Sequence, residues 1–530
     1  MIKKAALREN WKEYILVLIV LTEIAILTFI AYRFGICHVD SDDATEMALA
    51  EQLSRESGFL SPNWYYSTDL RVVHTQIILA PLFRIFSSWK LVRTFGTMIL
   101  LCILSGSWIF MCGKISMGRS ALWLLPVLLW PFSDIYYDFV LFGLQYIPHL
   151  AMMFIGAGVY FAIIHSEKHS WNHMVVWLVL AVLNGMGGLR LIVVFYAPLW
   201  MAAVWSYIIK EDSTIGKAVK APQIVFSSLG MIGVAVGYII NTKILSRMYT
   251  FVNWESTEFI KPDFTKINGV LNDLLMVMGY RTDRKIFSIS GGVNLLMLVS
   301  CCFLVYIMIV LLKNLIHLKE DERIITLFAG LSLCVTIFVN LFTNQNWAAR
   351  YLILPMIWLI VLVAIYIRLK GIMRPVNQLI CICLLTTVFC GGLVEYRAWI
   401  SYNKNAARES VLRFLEDEGY RFGYASWDNA DVLTEMTDGQ IRTCKVTNWK
   451  DFSIWYWLMD KDYRKYAEGQ KVFVLLNNNE FNYDGGIGYL NGSWKAEDLG
   501  YLDSGHQVYR DECYTVYSFD DYRRLEQRKW

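Results

Sequence analysis

The sequence predicts a polytopic α-helical membrane protein with about eleven transmembrane helices and a small extracytoplasmic α/β domain at its C-terminus. Three observations lead to this prediction. Of the 530 residues, 56% are hydrophobic and only 18% are charged, whereas soluble domains are about 45–50% apolar and about 25% charged. Apolar segments of transmembrane length recur along the chain as far as residue 394. From Glu395 onward charge rises, hydrophobic runs shorten and strand-like alternation begins.

The first predicted span runs from about Tyr14 to Phe34 and follows a basic N-terminal flank, which places the N-terminus in the cytoplasm by the positive-inside rule. That flank consists of Lys3, Lys4, Arg8 and Lys12. The further predicted spans cover residues 92–112, 121–133, 146–165, 174–189, 191–209, 223–241, 292–312, 324–342, 351–367 and 378–394. The 121–133 run is short for a crossing, so we expect it to extend through Ser133 and Asp134 or to tilt.

An odd number of spans leaves two long loops and the C-terminal tail outside the cytoplasm. The first loop, residues 35–91, is predicted to contain a short amphipathic helix over 44–57. It also contains an apolar stretch over 72–86 that is interrupted by Pro81, which favours an interfacial or re-entrant helix over a full span. The second loop covers residues 241–290. We therefore divide the chain into a transmembrane module, residues 1–395, and an extracytoplasmic α/β domain, residues 396–530.

The C-terminal domain is predicted to contain two helices and four strands. The helices cover residues 405–419 and 431–437, and the strands cover residues 421–426, 440–446, 471–476 and 507–518. Cys444 and Cys513 lie in this domain and could form a disulfide in an oxidising compartment. Two free thiols are an equally good interpretation of the same pattern.

Four carboxylates lie within seven positions directly after the first span: Asp40, Asp42, Asp43 and Glu46. Repulsion between neighbouring carboxylates raises the pKa of at least one of them, and a raised pKa makes a carboxylate a better general base toward a hydroxyl. The alternative is that Ser41 or Asp42 caps a helix and that the other acids are solvated near its positive end. The two interpretations are compatible, since a capping residue can lie beside a base.

Several basic side chains are predicted on the same outer side as the acidic cluster. They are Arg71, His74, Arg190, Arg281, Arg284, Lys285 and Arg350. Because arginine forks match phosphate oxygens, a convergent set would bind a phosphate-linked lipid at the membrane surface. The alternative for each is an interfacial anchor, and it is the stronger one for Arg281, Arg284 and Lys285. His149, near an outer helix end, could contact a substrate, although such histidines are more often plain interfacial side chains.

Ionisable residues are almost absent from the predicted spans, with Glu23 as the exception. Transporters driven by ions or protons usually carry several such groups near the membrane midplane. The distribution therefore favours a site at the outer membrane surface over a path across the membrane. A net charge of only +3 also argues against a general nucleic-acid binder.

The run Asp-Asp-Ala-Thr-Glu-Met-Ala over residues 42–48 resembles the acidic motif that opens the first external loop of GT-C glycosyltransferases. The likeness is greatest to the protein O-mannosyltransferase and aminoarabinose-transferase-like group, glycosyltransferase family 39. Arg-Val-Val-His over 71–74 and Arg-Tyr-Leu-Ile-Leu-Pro over 350–355 agree with that group, as does the order of spans and long loops. Two features depart from it: Asp43 replaces the more usual Glu, and a basic-Pro-Pro signature after the first loop is absent.

The resemblance implies a GT-C-like fold and an inverting transfer of a sugar from a polyprenyl-phosphate carrier to an acceptor hydroxyl. The implied site residues are Asp42 and Asp43 as the catalytic acids, Asp40 and Glu46 as supporting acids, and Arg350, Tyr351, Arg71, His74 and Arg190 as ligands of the donor phosphate. The four carboxylates could hold a divalent ion, but the group needs none, so no metal or other cofactor is expected. The expected partners are the lipid-linked donor, membrane lipid and a glycan, lipid or protein acceptor, and no nucleic acid.

The expected location is the cell membrane, with the C-terminal domain on the extracytoplasmic side. Two other classes of protein remain as alternatives. One is a transporter or flippase of lipid-linked glycans, which needs few charged residues within the membrane. The other is a non-catalytic receptor or assembly protein whose C-terminal domain binds partners.

Overall fold

The computed structural model describes residues 11–526 except 69, 167–170, 211–219, 253–257, 346 and 479–498. Of the predicted basic flank, Lys12 is described, whereas Lys3, Lys4 and Arg8 lie outside the described residues.

The membrane-side elements follow one another as α1 (Trp11–Phe34), α2 (Ser41–Glu56), β1 (Trp64–Tyr66), α3 (Gln76–Phe83), α4 (Trp89–Cys112), α5 (Gly118–Leu129), α6 (Asp134–Phe142), α7 (Ile147–Ile164), α8 (Trp171–Gly185), α9 (Ile192–Ile208), α10 (Pro222–Arg247), β2 (Thr250–Phe251), α11 (Ile267–Val277), α12 (Ile289–Lys313), α13 (Glu320–Phe342), α14 (Ala349–Lys370) and α15 (Pro375–Ser401). Among the described residues, eight helices are long and apolar enough to cross a membrane: α1, α4, α7, α10 and α12 to α15. The pair α5 and α6 passes the same test as one bent unit, and α8 and α9 are shorter apolar helices. The described residues therefore contain eight helices of spanning length, or nine with the bent pair, where eleven spans were predicted; α8 and α9 fall on the predicted spans 174–189 and 191–209 but are shorter than a full crossing. The chain is a multi-pass helical membrane protein.

The segment predicted as a short span over 121–133 is broken and not merely tilted. Helices α5 and α6 meet at an angle of 93°. Pro131 follows Trp130, whose backbone is extended at φ −94° and ψ 132°, because a proline disfavours helical geometry in the residue before it. Ser133 then caps α6 by accepting a hydrogen bond from the amide of Tyr136.

Helix α2 begins at Ser41, earlier than the predicted 44, because Asp40 is its N-cap. The Asp40 side chain accepts a hydrogen bond of 2.9 Å from the amide of Asp43, the usual role of an aspartate at that position. Neither Ser41 nor Asp42 is the cap. Ser57, in the left-handed region at φ 58°, ends the helix. Helix α3 is shorter than the predicted 72–86 and keeps Pro81 inside it.

The C-terminal domain contains α16 (Ala406–Asp417), β3 (Phe422–Ala425), α17 (Trp427–Met436), β4 (Arg442–Asn448), β5 (Ser453–Ile454), β6 (Met459–Asp460), β7 (Val472–Asn477), β8 (His506–Arg510), β9 (Tyr514–Phe519) and α18 (Arg523–Glu526). Six strands form a sheet in the order β5-β4-β3-β7-β9-β8. Strands β4, β3 and β7 are parallel, whereas β5, β9 and β8 join antiparallel. The predicted α/β class of this domain is confirmed.

Three details of this domain differ from the sequence prediction. The strand predicted over 507–518 is a pair, β8 and β9, because Asp511 accepts hydrogen bonds from the amides of Cys513 and Tyr514 and forms a turn. Helix α17 begins at Trp427, ahead of the predicted 431. The predicted module boundary at 395 falls within α15, which continues to Ser401.

Cys444 and Cys513 are both free thiols. Cys444 lies on β4 and Cys513 directly precedes β9, and β3 and β7 separate these strands in the sheet. Three strand spacings amount to roughly 14 Å, about twice the Cα separation that a disulfide allows. The interpretation with two free thiols is confirmed.

A second, three-stranded sheet connects the C-terminal domain to both long loops. Its order is β2-β1-β6, with β1 parallel to β2 and antiparallel to β6. Tyr65 pairs with Thr250 of the second loop on one side and with Met459 of the C-terminal domain on the other. The two long loops and the C-terminal domain are therefore joined by one shared sheet.

Candidate active site

Asp42 and Asp43 are consecutive residues of α2 with different surroundings. The Asp42 side chain is 38% exposed, and its Oδ2 lies 4.0 Å from Nη1 of Arg350. Asp43 is 3% exposed, and its Oδ1 accepts a hydrogen bond of 3.2 Å from Gln145 Nε2. Of the two, Asp42 is the carboxylate that a substrate can reach.

Burial, and then the neighbouring charge of Asp40, raise the pKa of Asp42, while Arg350 partly opposes the shift. Burial raises the pKa of Asp43 well above its usual range, and Asp40 adds to the shift against the opposing charge of Arg93. Desolvation and like charge both disfavour an ionised carboxylate. The predicted rise in carboxylate pKa is therefore present at both residues.

Arg350 and Arg190 flank the ring of Tyr351. Their guanidinium carbons lie 5.8 Å and 5.6 Å from its centroid, within cation–π range. Arg350 also lies 5.1 Å from the ring of Phe139, and Arg190 lies 5.0 Å from the ring of Tyr146. The structure thus brings together three predicted phosphate ligands that are far apart in the sequence.

Arg71 completes a group of three arginines at this site. Burial lowers the pKa of Arg190, and the positive charges of Arg71 and Arg350 lower it further. Repulsion between like charges in a buried site is costly, and a bound anion relieves it. An oxyanion with several oxygens, such as a phosphate, fits this need because each guanidinium has a planar fork of N–H donors.

Glu46 binds the predicted basic pair Arg71 and His74. Arg71 Nη1 lies 3.8 Å from Glu46 Oε1 and 3.2 Å from His74 Nε2. Since a guanidinium only donates, His74 Nε2 accepts from Arg71 and Nδ1 carries the proton. Nδ1 lies 2.7 Å from Gln76 Oε1 and 2.9 Å from Glu46 Oε2. Burial acts to raise the pKa of Glu46, but His74, Arg71 and Gln76 outweigh it and lower that pKa. Glu46 is therefore an ionised anchor for two of the basic residues.

His149 is buried next to the arginine group. Its side chain is 5% exposed, and among the described residues its Nε2 has no hydrogen-bond partner. Its ring centroid lies 6.4 Å from that of His74 and 6.1 Å from that of Tyr146. A buried nitrogen without a partner is costly, so a ligand that reaches this group can satisfy it.

Sequence reasoning missed the contacts by which Arg93 and the C-terminal domain hold α2 in place. Arg93 binds both carboxylate oxygens of Glu435 at 2.7 Å, and its Nη2 donates to the backbone oxygen of Asp43 at 3.2 Å. Thr45 donates to Asp431 at 2.5 Å, and Lys445 Nζ lies 2.5 Å from the same carboxylate oxygen. The only sequence feature that pointed to these contacts was Arg93, a charged residue at the start of the predicted span 92–112.

The remaining basic residues of the second loop belong to other contacts. Arg284 forms a buried ion pair with Glu395 at 3.1 Å. Arg281 binds Asp283 at 3.1 Å and lies 3.6 Å from Asp134. Both arginines therefore have acidic partners within the protein, and their role as interfacial anchors stays a prediction.

The described residues contain no group of three or more His, Cys, Asp and Glu side chains arranged to hold a metal ion. The metal independence of the chain stays a prediction.

No protein-family model matches the chain, and no curated protein matches it in sequence. Solved structures of an oligosaccharyltransferase from Archaeoglobus fulgidus are similar to it in fold. One, tethered with an acceptor peptide containing the NVT sequon, has a TM-score of 0.47 and 10% identity over 90% of this chain and 70% of that chain. A complex with Zn and sulfate has a TM-score of 0.48 and 10% identity over 86% and 68%. The archaeal oligosaccharyltransferase AglB from the same organism, with an inhibitory peptide and a dolichol-phosphate, has a TM-score of 0.47 and 8% identity over 89% and 70%. At these values the function has to be argued from the site geometry.

Proposed function

We propose that this chain is a membrane glycosyltransferase of the GT-C type that moves a sugar from a polyprenyl-phosphate donor to an acceptor hydroxyl. The observation that supports this most is the position of Asp42. It is a partly exposed carboxylate with a raised pKa, and it lies 4.0 Å from Arg350 of the arginine group. A general base beside a set of phosphate-binding cations is what transfer from a phosphate leaving group requires.

In the proposed reaction, Asp42 takes the proton of the acceptor hydroxyl as the hydroxyl oxygen bonds to the anomeric carbon. The bond between that carbon and the phosphate oxygen breaks, and its electron pair leaves with the polyprenyl phosphate. Arg350, Arg190 and Arg71 stabilise the phosphate as its charge grows, since cations placed in advance lower the barrier. Attack from the side opposite the leaving group inverts the anomeric centre.

The other predicted site residues have supporting roles in this proposal. Asp40 caps α2 and raises the pKa of Asp42. Glu46 orients Arg71 and His74. The ring of Tyr351 contacts both Arg190 and Arg350 and helps to hold the two guanidinium groups near each other. Asp43, buried against Gln145, fixes the first turn of α2 beside its catalytic neighbour.

The proposed orientation places the site and the C-terminal domain on the extracytoplasmic side of the membrane. The C-terminal end of α1 and the N-terminal end of α4 lie on the same side as α2 and the C-terminal domain. The opposite ends carry basic residues such as Lys114 and Arg119, which the positive-inside rule places in the cytoplasm.

The experiment is a donor-consumption assay with the purified full-length protein in lipid nanodiscs. Polyprenyl-phosphate-linked hexoses and aminoarabinose are supplied one at a time with a cell-envelope extract as acceptor, and released polyprenyl phosphate is measured. Asp42→Asn should reduce the rate by at least about a hundredfold, and Asp520→Asn, at a site 80% exposed, should not change it. An Asp42→Asn variant with the rate of the wild type would show that Asp42 is not the base. If the wild type consumes none of the donors and instead moves them between leaflets, the chain is a flippase.

A further inference from the structure

Three tryptophans of the C-terminal domain form a compact, partly exposed cluster, which we call the tryptophan cluster: Trp427, Trp455 and Trp457. The centroid of Trp427 lies 5.4 Å from that of Trp455 and 4.7 Å from that of Trp457. Trp455 and Trp457 are stacked, with centroids 5.0 Å apart and ring planes at 16°. Indoles in a soluble domain are usually buried more deeply when they serve only as core.

Lys445 holds this cluster in place. It is fully buried, its Nζ lies 4.4 Å from the centroid of the Trp427 ring, and it donates to the backbone oxygen of Leu458 at 2.6 Å. The backbone amide of Trp455 in turn donates to the Lys445 oxygen at 2.8 Å. The two tryptophans of the segment between β5 and β6 are therefore rigidly presented.

The same segment contains backbone strain. Leu458 has φ 48°, in the left-handed region, which is a strained conformation for a residue with a Cβ. Such strain persists where the surrounding structure enforces it, and it is concentrated at binding sites. The strained residue directly follows Trp457, so the surrounding structure enforces the backbone conformation of this segment.

The tryptophan cluster and Arg71 are linked to α2 through residues that flank Asp42, about 100° apart around the helix axis. In an α-helix, the residues three and four positions onward lie on either side of a given residue, one turn further along. Four positions after Asp42, Glu46 binds Arg71 and His74. Three positions after it, Thr45 donates to Asp431, which binds Lys445 beneath Trp427.

We propose that the tryptophan cluster is the acceptor site and that the acceptor is a carbohydrate. This inference rests on the function proposed above. Inversion requires the acceptor to approach the anomeric carbon opposite the leaving phosphate, and the phosphate lies on the arginine side of Asp42. The acceptor therefore approaches from the side of Thr45, where the partly exposed aromatic surface is the tryptophan cluster. The apolar C–H face of a pyranose ring packs on the electron-rich face of an indole, while its hydroxyls stay available to Asp42.

The first experiment measures binding without any donor. Purified full-length protein in nanodiscs is titrated calorimetrically with maltohexaose, chitohexaose, mannohexaose and a decapeptide containing serine and threonine. At least one hexasaccharide should bind, and Trp455→Ala and Trp457→Ala should each weaken it by about tenfold. Trp455→Phe should retain most of the affinity. Tyr456→Ala is the matched control, because Tyr456 lies in the same segment, is 40% exposed and contacts Tyr65.

The results separate this inference from the proposed function. If the hexasaccharides do not bind, or bind the alanine variants as tightly as the wild type, the cluster is not a carbohydrate site. If only the decapeptide binds in a tryptophan-dependent way, the acceptor is a peptide and the carbohydrate assignment is wrong. In the donor assay, Trp455→Ala should retain slow hydrolysis of the donor by water but lose transfer to the glycan. A wild type that binds the glycan but never consumes any donor would refute the proposed function and leave the carbohydrate site intact.

Discussion

Arg93 of α4 and Glu435 of α17 form a two-pronged ion pair in the interior of the protein. Both nitrogen–oxygen distances are 2.7 Å, and the side chains are 6% and 2% exposed. The same guanidinium donates to the backbone oxygen of Asp43. The C-terminal domain is therefore tied to the turn of α2 that carries the proposed base, and the acidic helix depends on residues from both parts of the chain.

Glu435→Gln should destabilise the protein by about 3–5 kcal/mol, because it leaves the buried charge of Arg93 without its partner. The double variant Arg93→Met, Glu435→Leu should recover much of that loss, since a buried ion pair can be replaced by apolar side chains at little cost. Thermal and denaturant unfolding of the purified protein would measure both effects. Glu416→Gln, on the exposed face of α16, is the control and should change stability by less than about 0.5 kcal/mol. A single variant as stable as this control would mean that the pair does not secure α2.

Asp42→Asn and Asp43→Asn should differ in their effects on rate. Asparagine at position 42 removes the exposed base, so kcat should fall by at least about a hundredfold. At position 43 the carboxyl is buried and its pKa is raised well above its usual range, so an amide of the same shape preserves most of its packing. We expect a loss there of less than about tenfold. Equal losses in kcat at unchanged thermal stability would instead make the two carboxylates a joint catalytic pair.

Asp40→Asn should shift the acidic limb of the pH–rate profile to lower pH. The charge of Asp40 raises the pKa of Asp42, and the base works only when it is deprotonated. Removing that charge lowers the pKa of Asp42, so the active form persists to lower pH. Asparagine still accepts the capping hydrogen bond, so α2 should stay intact. The measurement is kcat as a function of pH. If the acidic limb stays at the same pH in Asp40→Asn, a group other than Asp42 titrates in that range.

Local sequence patterns predicted the parts of the site that depend on nearby residues. The acids at 40 to 46 lie on one helix, and Arg71 binds the helix directly through Glu46. Topology predicted that Arg190 and Arg350 lie on the same side of the membrane, and the family resemblance implied that both bind the donor phosphate. Their shared contact with Tyr351 needed the fold. The ion pairs and hydrogen bonds from the C-terminal domain were missed because the partner residues are far apart in the sequence. Arg93 and Glu435 are separated by 342 residues.

Arg350→Gln should weaken the binding of polyprenyl phosphate by about 10- to 100-fold, because a hydrogen bond to a charged group contributes about 1.5–3 kcal/mol. Arg350→Lys should lie between this variant and the wild type, since lysine keeps the charge but not the planar fork. Arg350 also opposes the raised pKa of Asp42, so the glutamine variant should move the acidic limb of kcat to higher pH, opposite to Asp40→Asn. Arg413→Gln, at a side chain 76% exposed, is the control. Titration with a fluorescent polyprenyl phosphate measures the affinity. If Arg350→Gln binds polyprenyl phosphate as tightly as the wild type, Arg350 does not bind the phosphate. If only the acidic limb of kcat shifts, the role of Arg350 is limited to its effect on the pKa of Asp42.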